Sequence, residues 1–216
     1  MEWTVKSTPA KLGIVSVSEP ATEKGRATRA RIVQAAAELV AERGLSETSL
    51  DDVGERAHAS RSQLYHYFAD RDDIIRAVVD ATTNTVLAAQ DTLLDDLDSW
   101  AGIDRWFAAL EAIQREREAC GGCPIGSLVG QLAERDPVAR TALADGFDRW
   151  ERRLRDGLGQ MQISGQLAAN ADPTRLATAT MALLQGGLLL SQVRREPDQQ
   201  TIALDAARAL LRAAAR

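Results

Sequence analysis

Cysteine is almost absent from this sequence, which has only two cysteines in 216 residues. A chain of this length with so few cysteines is not a disulfide framework, and we expect both thiols to be reduced. The first 20 residues contain no apolar stretch long enough for the core of a signal peptide. The most apolar segment, 176–190, is shorter than a membrane span and includes glycine and polar residues. We therefore expect a cytoplasmic protein that does not bind a membrane.

An excess of basic residues is also missing, because 26 Lys and Arg stand against 31 Asp and Glu and give a net charge of −5. The overall field of such a chain does not attract nucleic acid, so a DNA-binding surface would have to be a local patch. Residues 24–31 provide a basic stretch with no acidic residue in it. Its basic residues are Lys24, Arg26, Arg29 and Arg31.

Strand patterns are lacking, whereas alanine, leucine, arginine and glutamate are abundant and favour helix. Apolar residues recur at helical spacing along most of the chain, which predicts an all-α protein. We predict a flexible tail over residues 1–25, a helix-turn-helix domain over 26–72 and a larger helical domain over 73–216. The residues predicted to cap the first four helices are Thr28, Thr48 or Ser49, Ser60 and Asp70.

The second and third predicted helices are short and are separated by a tight break at residues 57–59, an arrangement typical of a helix-turn-helix. The later helix of such a unit enters the major groove of DNA with its N-terminal residues against the base edges. We predict base contacts from Arg61, Ser62 and Gln63, because Arg and Gln bind guanine and adenine through paired hydrogen bonds. The other predicted DNA-binding residues, suited mainly to phosphate, are Arg29, Thr48, Ser49, Ser60, Tyr65, His66 and Arg71. For Arg71, pairing with a nearby carboxylate is an equal alternative.

An ordered set of short motifs fills about 50 residues around this unit. They are Thr28-Arg-Ala-Arg-Ile32, Ala35-Ala36-Ala37-Glu38-Leu39, Glu42-Arg43-Gly44, Thr48-Ser49-Leu50-Asp51-Asp52-Val53, Ala57-His58-Ala59-Ser60, Leu64-Tyr65-His66-Tyr67-Phe68 and Asp70-Arg71-Asp72-Asp73-Ile74-Ile75. The set resembles the TetR family of bacterial regulators. The resemblance implies a three-helix DNA-binding domain, a larger domain that binds a small molecule and forms a homodimer, and repression that the small molecule relieves.

Two residues depart from the pattern of that family. His58 stands where the turn usually has glycine, but histidine tolerates a left-handed backbone better than most residues. His58 then serves as a turn residue or adds a phosphate contact. Gly54 lies inside the second helix, where glycine costs roughly 1 kcal/mol relative to alanine.

The larger domain offers a candidate lining for an apolar or aromatic effector. Its residues are Trp106, Leu110, Ile113, Cys123, Phe147, Trp150 and Leu154. The alternative for each is an ordinary place in the core. Segment 176–190 is apolar nearly all round and needs burial on several sides, so with the last helix it is a candidate dimer interface.

The Cys-x-x-Cys spacing of Cys120 and Cys123 can support redox chemistry, and the stretch Gly122-Cys-Pro-Ile-Gly-Ser-Leu128 resembles a TetR subgroup that includes flavonoid- and electrophile-responsive regulators. Cys123 is therefore either a redox or electrophile sensor or part of a loop that faces the pocket or core. The only two histidines, His58 and His66, belong to the helix-turn-helix, which speaks against zinc. We expect no metal and no cofactor.

Two further functions compete with a regulator. An all-helical thiol peroxidase would use the Cys-x-x-Cys pair, but such enzymes typically have histidine where Ser127 stands, four residues after the second cysteine. A helical scaffold with a decayed DNA motif is the other, and the intact Arg61-Ser-Gln and Tyr65-His66 argue against decay. We expect a protein that is not an enzyme.

Overall fold

The computed structural model describes residues 20–44, 47–134 and 136–216. Within these ranges the chain forms ten helices and no β-strand, so the predicted all-α fold is confirmed. The helices are α1 (Glu23–Arg43), α2 (Leu50–Arg56), α3 (Arg61–Tyr67), α4 (Arg71–Ala88), α5 (Asp91–Leu94), α6 (Trp100–Glu116), α7 (Pro124–Leu132), α8 (Pro137–Ile163), α9 (Pro173–Arg194) and α10 (Asp198–Ala213).

Helix α1 begins earlier than the sequence indicated. Thr22 is its N-cap, and the Thr22 hydroxyl accepts a hydrogen bond from the Gly25 amide at 3.1 Å. The prediction that Thr28 caps this helix is wrong, because Thr28 is buried within α1 and its hydroxyl donates to the Lys24 carbonyl at 2.9 Å. Residues 23–25 of the predicted tail therefore form the first turn of α1, and residues 1–19 lie outside the described ranges.

The other predicted caps are confirmed where they can be compared. Ser49, Ser60 and Asp70 each accept a hydrogen bond from the amide three residues later, at the start of α2, α3 and α4 respectively. These bonds satisfy amides that have no partner within their own helix. The one-turn helix α5 was not predicted. It is too short to show a helical period in the sequence.

Two apolar clusters form the core, and α4 contributes to both. Ile74, Ala77 and Val78 of α4 pack with α1, α2 and α3, whereas Ile75 and Val79 of the same helix pack into the larger cluster, which is built from α4 to α10 together with Val40 of α1. Helix α4, with two apolar faces, therefore joins the region formed by α1, α2 and α3 to the rest of the molecule.

Helices α9 and α10 pack closely against each other. Gly187 makes this possible, because a Cβ atom at that position would lie only 2.7 Å from the Cβ of Ala203. Helix α9 is the one helix in the described ranges that is long and apolar enough to cross a membrane, although a third of that apolar window is buried in the fold. A helix that is buried on one side and apolar on its outer side can have the same composition as a membrane-spanning helix.

Candidate nucleic-acid interface and effector domain

The turn between α2 and α3 depends on a left-handed residue. His58 has φ of 47°, and its amide donates to the Glu55 carbonyl at 3.1 Å. The following amide, of Ala59, donates to the Gly54 carbonyl at 2.8 Å. The expectation that His58 adopts the left-handed turn is confirmed, and the two bonds fix the angle at which the chain enters α3.

Gly54 has a role in this turn that helix propensity did not reveal. A Cβ atom at position 54 would lie 2.9 Å from the carbonyl oxygen of Ala59 and 3.4 Å from Cδ1 of Leu64. The backbone of the turn therefore passes directly over α2. Glycine weakens α2, but only a residue without a Cβ atom lets the turn pass this close, so α3 can pack against α2.

Helix α3 presents a polar face to solvent and an apolar face to the core. Leu64 is 2% exposed and Phe68, just beyond the helix, is 1% exposed, as predicted for inward-facing residues. Tyr65 is 52% exposed. The exposed residues of α3 are Arg61, Ser62, Gln63, Tyr65 and His66. Five of the predicted DNA-binding residues thus lie together on one short helix.

The side chain of Gln63 already has a role in the free protein. Its Oε1 accepts a hydrogen bond from the Ser60 amide at 2.9 Å, and the Ser60 hydroxyl accepts one from the Gln63 amide at 3.2 Å. This reciprocal pair is a capping box. A paired contact with adenine needs the same Oε1. Gln63 would therefore have to share this oxygen between the cap and the base, whereas Arg61 forms no ion pair among the described residues.

The start of α2 has a comparable capping box. The Asp52 carboxylate accepts hydrogen bonds from the amide and hydroxyl of Ser49 and pairs with Arg43 at 3.1 Å. The Ser49 hydroxyl bond, the Ser49 amide bond and Arg43, in that order, hold the pKa of Asp52 below its ordinary value. A fixed anion therefore occupies this helix terminus. A phosphate at Ser49 would have to share it.

Three of the predicted phosphate contacts meet at one recess beside α2. Thr48, Ser49 and Arg71 line it together with apolar side chains of α1, α4 and α7. The Thr48 hydroxyl donates to the Gly44 carbonyl at 2.8 Å. Among the described ion pairs none includes Arg71, whose side chain is exposed, so the alternative of a carboxylate partner has no support.

The basic residues of α1 hold the domain together as well as adding charge. The Arg31 Nε donates to the Ala57 carbonyl at 2.8 Å and so ties α1 to the turn. Arg29 lies over the Phe68 ring, with its guanidinium carbon 5.1 Å from the centroid. Sequence reasoning missed the role of Arg31, since a bond to a carbonyl 26 residues away leaves no local pattern.

An ion pair joins α1 to α2 on the surface. Arg56 binds Glu42 through two hydrogen bonds of 2.9 and 3.0 Å and lies 3.5 Å from Glu38. The Arg56 hydrogen bond lowers the pKa of Glu42. A bidentate ion pair fixes orientation better than a single hydrogen bond, so this contact holds α2 in place against α1.

The predicted effector residues are mostly core. Trp106, Trp150 and Leu154 are no more than 2% exposed, Leu110 and Cys123 are also buried, and Phe147 is half-buried. Ile113 is 37% exposed and faces solvent. The structure places six of the seven in or against one packed cluster, and none lines the recess beside α2.

Several polar groups inside this cluster have no partner in the described structure. They include the indole nitrogen of Trp150, the hydroxyl of Thr180 and the amide nitrogen of Gln114. By contrast the Trp106 indole nitrogen donates to Gln90 Oε1 at 2.9 Å. Buried donors without partners are costly. The interior near Trp150 therefore has hydrogen-bonding capacity that the protein itself does not use.

The two cysteines have different surroundings. Cys123 is buried at the start of α7, where its sulfur accepts a hydrogen bond from the Gly126 amide at 3.4 Å, and burial raises the pKa of its thiol. Cys120 is exposed, and Arg195 Nη1 donates to its sulfur at 2.8 Å. Ser127 donates to the Cys123 carbonyl at 3.1 Å. Ser127, which stands where a peroxidase would have its histidine, is therefore bonded to the backbone at the start of α7.

The outer side of α9 and α10 is apolar. Leu189 is 60% exposed, Val193 75% and Ile202 64%, and Leu190 and Leu210 are exposed as well. A monomer rarely leaves so many large apolar side chains together on its surface. This surface, defined by these five residues, is called the α9–α10 face below.

Comparisons with known proteins agree with this architecture. A family model described as "Bacterial regulatory proteins, tetR family" matches residues 32–78, and one described as "Tetracyclin repressor-like, C-terminal domain" matches residues 100–207. The transcriptional regulator AcuR of Cereibacter sphaeroides is 26% identical over 169 residues, which are 77% of each chain. A helix-turn-helix transcriptional regulator of Mycobacterium tuberculosis is 30% identical over 78% of this chain and 86% of its own.

A solved structure has the same fold. The regulatory protein TetR from Rhodobacter sphaeroides superposes with a TM-score of 0.69 at 23% identity, over 85% of this chain and 98% of that one. The first family model runs from within α1 to within α4 and includes all of α3, and the second runs from α6 to within α10 and includes the α9–α10 face except Leu210. The chain belongs to the TetR family of transcriptional regulators.

Proposed function

We propose that this protein is a cytoplasmic, homodimeric repressor that binds a palindromic operator through α3 and leaves it when a small molecule binds the larger domain. The observation that carries the proposal is the rigid presentation of α3. Gly54 and His58 fix the turn, and Leu64 and Phe68 anchor the helix in the core. Its exposed residues are then free to meet the major groove.

The division of labour on α3 follows from its hydrogen bonds. Arg61 has no ion pair among the described residues and is the best-placed reader of a guanine. Tyr65 and His66 suit phosphate contacts, which set position and add affinity rather than sequence preference. Ser60 and Gln63 form the cap of α3, and the exposed hydroxyl of Ser62 forms no hydrogen bond within the described ranges.

Dimerisation through the α9–α10 face would give the two recognition helices their spacing. A two-fold axis through this face makes the contact self-complementary, with two helices from each subunit. Successive half-sites on DNA lie roughly 34–36 Å apart, and two α3 helices held at that distance would bind them together.

DNA binding is tested by fluorescence anisotropy with the DNA fragment that flanks the gene, over a range of salt concentrations. The wild-type protein should bind this fragment specifically, and its affinity should fall steeply as salt rises. Arg61→Ala together with Tyr65→Ala should weaken binding by about 2–4 kcal/mol. The control Arg175→Ala removes an exposed arginine at the start of α9 and should change nothing. Equal affinity of the double variant and the control would sink the proposal.

The dimer is tested by sedimentation. Val193→Asp combined with Ile202→Asp places charges in the α9–α10 face and should give monomers with little operator affinity. Ile163→Asp is the matched control, because Ile163 is 80% exposed at the end of α8, outside that face. A double variant that stays dimeric excludes this face as the interface.

A thiol-responsive regulator is the second candidate, and the contact between Arg195 and Cys120 favours it. Cys120 is exposed and its sulfur accepts a hydrogen bond from Arg195, so a thiol reagent can reach it and its modification would break that contact with the end of α9. Cys120 is then a better sensor than the predicted Cys123, which is buried. Treatment with N-ethylmaleimide should release DNA from the wild type and from Cys123→Ser but not from Cys120→Ser. Release that depends on Cys123 alone would reverse this assignment.

A further inference from the structure

A second concave surface lies between the DNA-binding region and the larger domain. This groove, called the α1–α7 groove, is bounded by α1, α4, α7, the loop after α6 and the end of α9. With its open mouth it has a volume of about 1310 Å³. It contains none of the seven residues predicted from the sequence to line an effector site. Its walls therefore constitute a separate site.

The groove has an apolar floor and a polar rim. Val40 of α1, Val78 and Val86 of α4 and Leu128 of α7 supply the floor. Thr82, Thr85, Ser127 and Gln192 are among the rim residues. Such a mixture suits a small organic molecule with an apolar body and one polar end.

The groove is lined by one carboxylate and one guanidinium. Of its two ionisable lining residues, Glu38 is already engaged, since Gln34 Nε2 donates to it at 2.9 Å and Arg56 lies 3.5 Å away. Arg117, in contrast, forms no ion pair in the described part of the chain. Its acidic sequence neighbours Glu116 and Glu118 do not line the groove. Arg117 is therefore the one lining cation in the described ranges, and its guanidinium has no carboxylate partner there.

The backbone at that end of the groove is held in an uncommon conformation. Glu118, Ala119, Gly121 and Gly122 all have φ between 49° and 84°. A Cβ atom at Gly122 would meet the side-chain amide of Gln192, so the loop lies directly against the end of α9. Arg117 stands at the start of this loop, at the rim of the groove.

We propose that the α1–α7 groove binds a small organic carboxylate with an apolar body, its carboxylate on Arg117 and its body over Val40, Val78 and Leu128. An arginine fork matches the geometry of a carboxylate. The apolar floor would be covered by hydrocarbon or an aromatic ring rather than by water.

The location of the groove connects its occupancy to DNA binding. Val40, Val78 and Leu128 also line the recess that contains Thr48 and Arg71. These three residues are a common wall, with the candidate effector on one side and predicted phosphate contacts on the other. A molecule that binds more tightly to one arrangement of this wall shifts the protein towards that arrangement. This regulatory step rests on the proposed function, whereas the binding step does not.

Binding is tested first, without DNA, by isothermal titration calorimetry of the full chain with 2-naphthoate and with decanoate. At least one probe should bind saturably, and 2-naphthamide, which has the same shape without the charge, should bind at least tenfold more weakly than 2-naphthoate. Arg117→Ala should weaken the bound probe at least tenfold. The matched control Arg175→Ala should stay within twofold. If neither probe binds, or if Arg117→Ala binds as the wild type does, the proposal is overturned.

A second variant tests the groove without removing the charge. Thr85→Trp adds a large ring from an exposed rim position, so the fold should survive, and circular dichroism checks that it does. Probe binding should be lost. Ser127→Trp, from the opposite wall, replaces this variant if it fails to fold. A folded variant that still binds the probe at wild-type strength contradicts the site.

Regulation is then measured as the change in operator affinity on adding the bound probe. We expect at least a fivefold change in the wild type and none in Arg117→Ala. A protein that binds the probe at Arg117 but binds no DNA would refute the proposed function and leave the site intact. A protein that binds DNA but has no site at Arg117 would do the reverse.

Discussion

Five predicted DNA-contacting residues are exposed together on α3, whereas five of the seven predicted effector residues are buried in the core of the larger domain. Both sets were chosen from residue type and spacing. On α3 the polar residues lie on the outer side of a helix whose apolar side is already used. In the larger domain apolar residues at helical spacing are what any core requires. Spacing therefore identifies a polar site more reliably than an apolar one.

The largest expected loss of stability tests whether Trp106 is a core residue or lines an effector site. Trp106→Ala should lower the free energy of unfolding by about 3–5 kcal/mol, because it opens a cavity and leaves Gln90 Oε1 without its indole donor. The control Ile113→Ala alters a residue of the same helix that is 37% exposed and should cost only about 1 kcal/mol of stability. Urea unfolding measures both. Similar stabilities of the two variants would mean that Trp106 lines an effector site rather than the core.

This contrast also shows where the sequence was informative about the fold. Capping serines and the aspartate before each short helix are local signals, and Ser49, Ser60 and Asp70 were all found from them. The start of α1 was missed because Thr22 and Thr28 are both possible caps. Only the structure shows that Thr28 is buried while the Thr22 hydroxyl meets an amide.

Contacts between distant segments could not be read from the sequence. The bond from Arg31 to the Ala57 carbonyl and the close approach of Ala59 to Gly54 both depend on how the helices pack. The same holds for the α1–α7 groove, whose walls come from α1, α4, α7 and α9. Arg117 has no neighbouring motif that would single it out.

The next largest change in stability compares two helical glycines, Gly54 in α2 and Gly130 in α7 of the larger domain. Gly54→Ala should destabilise the protein by about 1–3 kcal/mol, because the new methyl group meets a backbone oxygen that cannot rotate away. Gly130→Ala in α7 meets nothing within 4 Å and should stabilise by up to about 1 kcal/mol. Thermal unfolding gives the sign of each change. Stabilisation by both would mean that the turn does not press on α2.

A smaller effect concerns the cap of α3. Ser60→Ala removes the oxygen that accepts from the Gln63 amide and should cost about 1 kcal/mol of stability. Ser62→Ala alters an exposed serine two residues later and should cost no more than about 0.5 kcal/mol. Chemical denaturation of the two variants side by side distinguishes a cap from a surface hydroxyl. Equal losses would remove the argument that Gln63 and Ser60 form a cap.

The smallest effect is a pH dependence that belongs to the DNA-binding region. Hydrogen bonds from Ser49, with Arg43 beside them, lower the folded-state pKa of Asp52, so this carboxylate adds stability at pH values above its ordinary pKa. That contribution is lost as pH falls below about 4 and through the lowered pKa, since the unfolded chain takes up the proton first.

Asp52→Asn keeps a side-chain oxygen for the cap and should lose stability less steeply in this acid range than the wild type. Asp51→Asn, which removes an exposed carboxylate from the same turn, is the control, because Asp51 forms no hydrogen bond or ion pair among the described residues. Urea midpoints between pH 3 and pH 7 make the comparison. If Asp52→Asn follows the wild-type curve, the α2 terminus does not hold a fixed anion and is open to phosphate at Ser49 after all.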